Sequence, residues 1–495
     1  MSKDTSNERH LFEDAPVLRA ILTLGLPSIL GQLILVIYNM ADTLFVGLTE
    51  NDVMINGVTI CMPVYMILTA ISNLFGVGGL SVIARSMGKD NETRARRSAE
   101  FAFWGCLLTS LIYCAIIAIL SSSITDYLLP RSLGAHGNDE VAKQASQYIL
   151  IAVCLCGIPT TLSTLFSHLI RAQGFAMHTS IGIAIGGILN IGLDPLFIFA
   201  ICGKDNAALG AGIATGISNI VALLYFIIIF IKLKKKLVIS VKFSKNMFKD
   251  GIPRETLTIG LPACLMTLCE NISYWILGNQ MGLVATTVEG GEKVFGIALS
   301  GVEVSKKVNM FAHNAVRGMA QGVMPLIGYN KASGNRKRMK KIVYLSGAIS
   351  LGIALTAAII NILPSGKGLI SLFLHGGQAE DYMLERQKFG YAFLQIFSLG
   401  APFSAIAYTI ISFFQAVGKP WRSLILALLR KGILDIPLMF LLNFLIVEVN
   451  GYGGVGLVLA TPISDAICCF AAIAIFSLYI KKNGHNKGSY AEIKQ

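Results

Sequence analysis

Four residues in the first half of this 495-residue chain have the chemistry of a cation site. Asp194 lies in the apolar stretch IGIAIGGILNIGLDPLFIFA (181–200), with Asn190 one helical turn before it and Pro195 directly after. Asp42 lies in a second such stretch, ILGQLILVIYNMADTLFVG (29–47), and Thr215 in a third, GAGIATGISN (210–219). A carboxylate in hydrocarbon costs about 2.5–3.5 kcal/mol even on lenient insertion scales, and is kept where it faces a cavity, a partner or a transported ion. Two carboxylates, an amide oxygen and a hydroxyl are hard oxygen donors suited to Na⁺. A site of this kind implies transport.

The elements that must position these residues follow from composition. Of the residues 54% are hydrophobic and 14% charged, with a mean hydropathy of +0.65, which excludes an ordinary soluble domain and places the chain among polytopic membrane proteins. Apolar runs of spanning length, roughly 20 residues each, fall near 20–46, 57–84, 98–120, 144–170, 178–200, 208–231, 256–282, 294–327, 340–363, 388–416, 421–447 and 455–480. Twelve transmembrane helices are therefore expected in an all-α membrane protein. The polar start (1–16) has no basic lead into a short apolar core, so no signal peptide is expected.

The net charge of +13 would suggest nucleic acid in a soluble protein, but its distribution gives another reason. With a cytoplasmic N-terminus, 29 of the 41 Lys and Arg fall in cytoplasmic segments and seven in external ones. This positive-inside asymmetry predicts a multi-pass protein of the cell (inner or plasma) membrane with both termini cytoplasmic and no nucleic-acid partner. In that orientation, a 1.5 Å rise per residue puts Asp42, Asp194 and Thr215 all roughly 8–10 Å below the external surface. Asn190 shares the face of Asp194, one turn deeper.

The chain also repeats itself. LTLGLP (22–27) returns as LTIGLP (257–262), and ATGISN (214–219) as ATPISD (460–465), at offsets of 235 to 246 residues. Six helices per copy is an even number, so the copies enter the membrane from the same side and form a parallel internal repeat. Two six-helix lobes are expected: a cytoplasmic N-terminal segment 1–16, an N-lobe 17–231, a basic linker 232–255, a C-lobe 256–482 and a tail 483–495.

The segments YNMADTLFVG (38–47), ILNIGLDPLFIF (188–199), GAGIATGISN and MPLIGYNKASGN (324–335) resemble the multidrug and toxin extrusion (MATE) family, in particular its bacterial MepA-like branch. The resemblance covers about 17–482. It implies efflux of cationic, often aromatic drugs in exchange for Na⁺ or H⁺ and carries a cation-binding role to Asp42, Asn190, Asp194 and Thr215. It also favours a bend at Pro27 that changes the cavity during transport. Pro27 and Pro195 leave the carbonyls of Thr23 and Ile191 without their i+4 donors, which frees them for ion binding or bending.

Substrate binding is expected at Glu270 and Tyr274, with Tyr38 and Asn39. Glu270, eight residues after Pro262, looks like a helix-7 carboxylate used by other branches of the family, and Tyr274 at i+4 sets a ring on the same face, suited to an organic cation. No Asp or Glu occurs between Phe389 and Gly418, which departs from the pattern of those branches. Lys431 and Asp435 sit at i,i+4 and read, with Arg430, as a structural ion pair. His313, near Lys306, Lys307 and Arg317, reads as a structural histidine rather than a proton-coupling group. The loops GKDNETRARRS (88–98) and ASGNRKRMKKI (332–342) read as orientation determinants.

Ten cysteines without paired spacing read as small buried hydrophobes. No nucleophile constellation, phosphate loop or metal cluster suggests an enzyme or a cofactor. The expected partners are drug-like small molecules and the bilayer, with the protein a monomer. Competing readings are a lipid-linked oligosaccharide flippase of the same superfamily, a major-facilitator transporter, and a non-transporting channel or scaffold. The sequence leaves open Na⁺ against H⁺, and whether drug and cation share a site.

Overall fold

The computed structural model describes residues 9–49, 52–128, 135–203, 206–287, 291–373, 380–446, 448–449 and 452–485. The first eight residues of the N-terminal segment and residues 486–495 of the expected tail lie outside them. The described chain is helical: α1 (Val17–Gly47), α2 (Asp52–Met87), α3 (Glu92–Leu128), α4 (Ala135–Tyr148), α5 (Gly157–Arg171), α6 (Ala176–Pro195), α7 (Ala207–Lys232), α8 (Ile252–Thr287), α9 (Gly291–Ala332), α10 (Arg336–Ile362), α11 (Pro364–Phe373), α12 (Glu380–Ala416), α13 (Pro420–Leu428), α14 (Asp435–Leu445) and α15 (Val455–His485). Counting α4 with α5 and α13 with α14 as broken rods, and setting aside the short α11, twelve rods coincide with the twelve expected spans.

Length and apolarity alone qualify eight of the described helices to cross a membrane, and the α4–α5 pair, bent by 48°, makes a ninth. The remaining rods among the described residues are α8, α9 and α13–α14. α9 carries Lys306, Lys307 and Arg317 in its middle, and α13–α14 carries Arg430 and Lys431 at a break.

Three π-helical turns interrupt the rods, at Ile149–Leu155, Leu196–Ile201 and Leu429–Leu434. The amides of Cys156 and Cys202 reach carbonyls five residues back, at 3.0 and 2.9 Å. Prolines account for much of this. Pro159 and Pro437 leave the carbonyls of Leu155 and Ile433 without i+4 donors, both carbonyls lie in π turns, and the middle turn follows Pro195 directly. Pro27, by contrast, sits inside an unbroken helix, so the bend expected there is not a break in α1. Its carbonyl accepts a hydrogen bond from the Ser180 hydroxyl of α6.

Two compact units are formed. The first comprises 1–272, 318–344 and 415–420, and the second 273–317, 345–414 and 421–495. In the first unit α1 lies along α6, α6 along α7, and α2 against α3 and α5. Small residues set the spacing of α1 and α6. A Cβ at Gly187 would stand 3.0 Å from Ile34 and 3.2 Å from the Tyr38 ring, which brings the Tyr38–Asp42 stretch close to the Asn190 turn. The same unit takes in the second half of α9, where a Cβ at Gly318 would stand 2.7 Å from the Ile29 backbone and one at Gly322 2.6 Å from the Leu24 carbonyl. Only glycine permits this backbone-to-backbone approach of α9 to α1. The helical turn 9–13 at the start of the unit is tied down by buried Phe12, whose ring lies 5.0 Å from that of Tyr329 and whose carbonyl accepts from Asn330 Nδ2 and Arg338 Nε, each at 3.0 Å.

The second unit has its own core of Leu277, Met281, Val302, Phe393, Phe397, Met439 and Val458. α14 packs along α15, joined by a short hairpin in which Glu448 faces Gly453.

Candidate functional site

The first unit gathers the four residues expected to bind a cation. Asp194, on the last turn of α6, is fully buried, and Asn190 sits one turn before it, so i,i+4 spacing brings their side chains together. Asn190 Nδ2 is 3.2 Å from Asp194 Oδ1 and 3.5 Å from Thr215 Oγ1 on α7. Asp42, on α1, is 8% exposed and lies within electrostatic reach of Asp194. The π turn after Pro195 helps to fix α7. A Cβ at Gly210 would stand 2.9 Å from the Phe197 carbonyl group, so the widened turn rests directly on the helix that carries Thr215.

One detail departs from the sequence expectation. Asn190 was expected to offer its amide oxygen, but it is the amide nitrogen that faces Asp194 and Thr215. Asn190 Oδ1 and Asp194 Oδ2 are buried without a hydrogen-bond partner among the described residues. Asn190 therefore acts here as the donor that holds Asp194 in place, and a rotation of the amide by half a turn would exchange its two ends. Among the described residues no group of three His, Cys, Asp or Glu could hold a metal ion. Two carboxylates with neutral oxygen neighbours suit a monovalent cation or a proton better than a transition metal.

The other expected residues are placed as follows. Tyr38 packs against Gly187, and Tyr65, which the sequence reading passed over, lies with its hydroxyl 3.5 Å from Asn219 Nδ2. Asn39 donates to the Leu35 carbonyl of its own helix at 2.8 Å. Glu270 is half-buried on α8. Tyr274, four residues on, presents its ring to two internal cations, with Lys306 Nζ 4.4 Å and Lys431 Nζ 5.6 Å from the centroid. An organic cation would have to compete with these for the ring.

The second unit contains a second polar cluster. Lys431 Nζ lies 3.1 Å from Asp435 Oδ2, the i,i+4 pair expected from the sequence. Arg430 pairs with Asp465 at 2.6 Å, a partner the sequence reading missed. Ser273 and Thr461 complete the cluster by donating to Asp435 at 2.5 and 3.0 Å. The signal was present in the repeat: ATGISN against ATPISD puts Asp465 opposite Asn219, and GILN (187–190) against GILD (432–435) puts Asp435 opposite Asn190. His313 contacts Ser404 Oγ through Nδ1 at 3.1 Å.

Comparison with known proteins fits this arrangement. A sequence profile of the MatE family matches residues 27–196 and again 262–441, one match in each copy of the repeat. The chain is 29% identical over 469 residues to the multidrug export protein MepA of Staphylococcus aureus (strain MRSA252), covering 95% of both chains. It is 28% identical over 478 residues to MepA of Staphylococcus haemolyticus (strain JCSC1435), again covering 95% of both. Among solved structures it resembles a crystal structure of MATE in complex with MaL6, with a TM-score of 0.81 at 21% identity over 97% of this chain and 99% of that one. It also resembles the outward-facing conformation of a multidrug resistance MATE family transporter, with a TM-score of 0.80 at 21% identity and the same coverage. Two profile matches spanning most of the chain, on twelve helices arranged as a parallel repeat of six, establish that this multi-pass membrane protein belongs to the MatE family.

Proposed function

We propose that this protein exports organic, drug-like compounds across the cell membrane by antiport against Na⁺ or H⁺, through alternating access between two lobes, 17–231 and 256–482, joined by the basic linker 232–255. The observation that carries this reading is the junction at Asn190, which bridges Asp194 and Thr215 in an otherwise apolar region, with a buried carboxylate oxygen of Asp194 left open. A carboxylate held this way takes up a cation or a proton on leaving water behind. Asp42 adds the second charge. The names of the MepA relatives support organic substrates, for which Glu270, Tyr274, Tyr38 and Asn39 are the proposed contacts.

The cation does work only by binding the two conformations unequally. Bound at Asp42 and Asp194 it favours the conformation that releases substrate outward, and its own release resets the cycle. Pro27 and Pro195 are the proposed points of conformational adjustment.

Everted vesicles with Na⁺ and pH gradients imposed separately test this reading. One gradient should drive substrate uptake in the wild type and fail to do so in Asp42→Asn and Asp194→Asn at equal membrane abundance. Normal ion-driven transport in both variants would remove the proposed site. The orientation, with both termini in the cytoplasm, is tested by single cysteines in a cysteine-free background. Those at Asn91 and Asn246 should label only from the cytoplasm and one at Asn138 only from outside, and the reverse pattern would overturn it.

A further inference from the structure

A shallow pocket of about 230 Å³ opens in the first unit, between the start of α8 and the turn that joins α12 to α13. Its lining includes Gly251, Arg254, Glu255, Thr258, Gly418 and Pro420. Drug-sized sites occupy roughly 300–1,000 Å³, so this one fits a small polar group. Two helix N-termini border it, α8 at Ile252 and α13 at Pro420. Each adds partial positive charge.

The side chains carry the same sign. Arg85, near the end of α2, lays its guanidinium against Gly418, where a Cβ would stand 2.5 Å from Nη1 and 3.4 Å from Nη2. Only glycine permits that approach, and Gly418 also has a φ of +71°. Arg85 Nη1 donates to Glu255 Oε1 at 2.7 Å and Nε to the Ser81 carbonyl at 3.2 Å, but Nη2 is buried with no hydrogen-bond partner. Arg94 of α3 holds the other oxygen of Glu255. Arg254 is exposed in the lining, so three guanidinium groups meet one carboxylate. Neighbouring acids are engaged elsewhere, Asp250 with Arg97 at 2.8 Å, and Asp90 and Glu92 with Arg9 at 3.1 and 3.5 Å.

We propose that this pocket binds a phosphate group, carried by an anionic lipid head group or free in solution. A phosphate oxygen accepts from Arg85 Nη2 and from Arg254, while Glu255 keeps its two guanidinium partners. Basic pockets between helix ends on the cytoplasmic side are where membrane proteins take acidic head groups, and the proposed orientation puts this one there. It uses none of the residues proposed for export.

The test uses the full-length protein, delipidated in detergent, with phosphatidylglycerol, phosphatidylcholine and inorganic phosphate as probes, followed by native mass spectrometry. The wild type should hold phosphatidylglycerol about tenfold more tightly than phosphatidylcholine. Arg254→Gln leaves both pairs of Glu255 in place and should remove most of that preference. Arg85→Lys keeps a charge beside Glu255 but loses the planar fork, and should weaken the preference about threefold. Lys234→Gln removes an equal, exposed charge from the linker outside the pocket and should change nothing. Equal binding of the two lipids by the wild type, a measurement that needs no variant, would overturn the proposal. So would a loss in Lys234→Gln as large as that in Arg254→Gln, which would make the preference one of diffuse surface charge. Inorganic phosphate separates the two sources: displacement of phosphatidylglycerol at equal concentration makes free phosphate the occupant, and retention of the lipid makes it the head group.

Discussion

The two polar clusters occupy matching places in the repeat and differ in how their charges are met. In the first unit Asn190 joins Thr215, and in the second Asp435 joins Thr461, so one interhelical contact is made twice from repeat-related positions. Around Asp194 the hydrogen-bonding neighbour is the neutral Asn190. Around Asp435 and Asp465 the chain supplies its own bases, Lys431 and Arg430. Burial alone therefore does not mark a functional carboxylate, since all three aspartates are buried to the same degree. What separates them is that Asp435 and Asp465 each meet a base of the chain, whereas the hydrogen-bonding neighbour of Asp194 is neutral, which is the arrangement the proposed uptake of a cation or proton requires.

Aspartate-to-asparagine exchange should break the two clusters in opposite ways. Asp194→Asn should abolish ion-driven efflux while leaving abundance and melting temperature close to wild type, because it removes a charge together with its desolvation cost. Efflux in everted vesicles and thermal unfolding in detergent read the two effects. Asp465→Asn should instead leave Arg430 buried without its partner and cost about 3–5 kcal/mol of stability. The double replacement Arg430→Met with Asp465→Leu should recover most of that loss, measured as folded yield and unfolding midpoint. If Asp194→Asn proved as destabilising as Asp465→Asn, the distinction between the clusters would collapse.

Smaller effects refine the picture. Asn190→Ala and Thr215→Ala remove neutral neighbours, so each should weaken the apparent affinity for the coupling ion by about tenfold without abolishing efflux, seen as a shift in the ion concentration giving half-maximal transport.

A third carboxylate calibrates the comparison away from the membrane interior. Glu255, at the start of α8, accepts from Arg85 at 2.7 Å and from Arg94. Burial works to raise its pKa, but the two guanidinium groups outweigh this and hold the carboxyl below its usual range. The stabilisation is therefore present at neutral pH and lost as pH falls through that lowered value. Glu255→Gln should lower stability by roughly 1 kcal/mol at pH 7, a difference that fades below about pH 4.

Sequence periodicity revealed the twelve spans because each is an apolar run bounded by polar residues, and it revealed contacts within one helix for the same local reason. Asn190 with Asp194 and Lys431 with Asp435 are both i,i+4 pairs. The pairing of Arg430 with Asp465 is 35 residues away and depends on how α15 packs, which no local pattern encodes. The engagement of Tyr274 by Lys306 is likewise a matter of packing between α8 and α9. The Asn190 amide lay between these cases: its position was legible, but which end faces Asp194 depends on the neighbours. The repeat held one signal that local reading passed over, the change from Asn to Asp at 190 against 435 and at 219 against 465.

The π turns bear on how motion and mutation act on these helices. Each takes about one extra residue into the winding, so every side chain beyond it is set back by about 100° relative to the same sequence wound as an uninterrupted α-helix. Such a turn acts as a slipped thread in a screw. In Leu429–Leu434 it allows consecutive Arg430 and Lys431 both to point inward, at 0% and 1% exposure, toward different aspartates. Deleting one residue there would restore an ordinary thread and leave Asp435 facing Thr461, whereas a deletion within the regular turns of α13 would swing it away by about 100°.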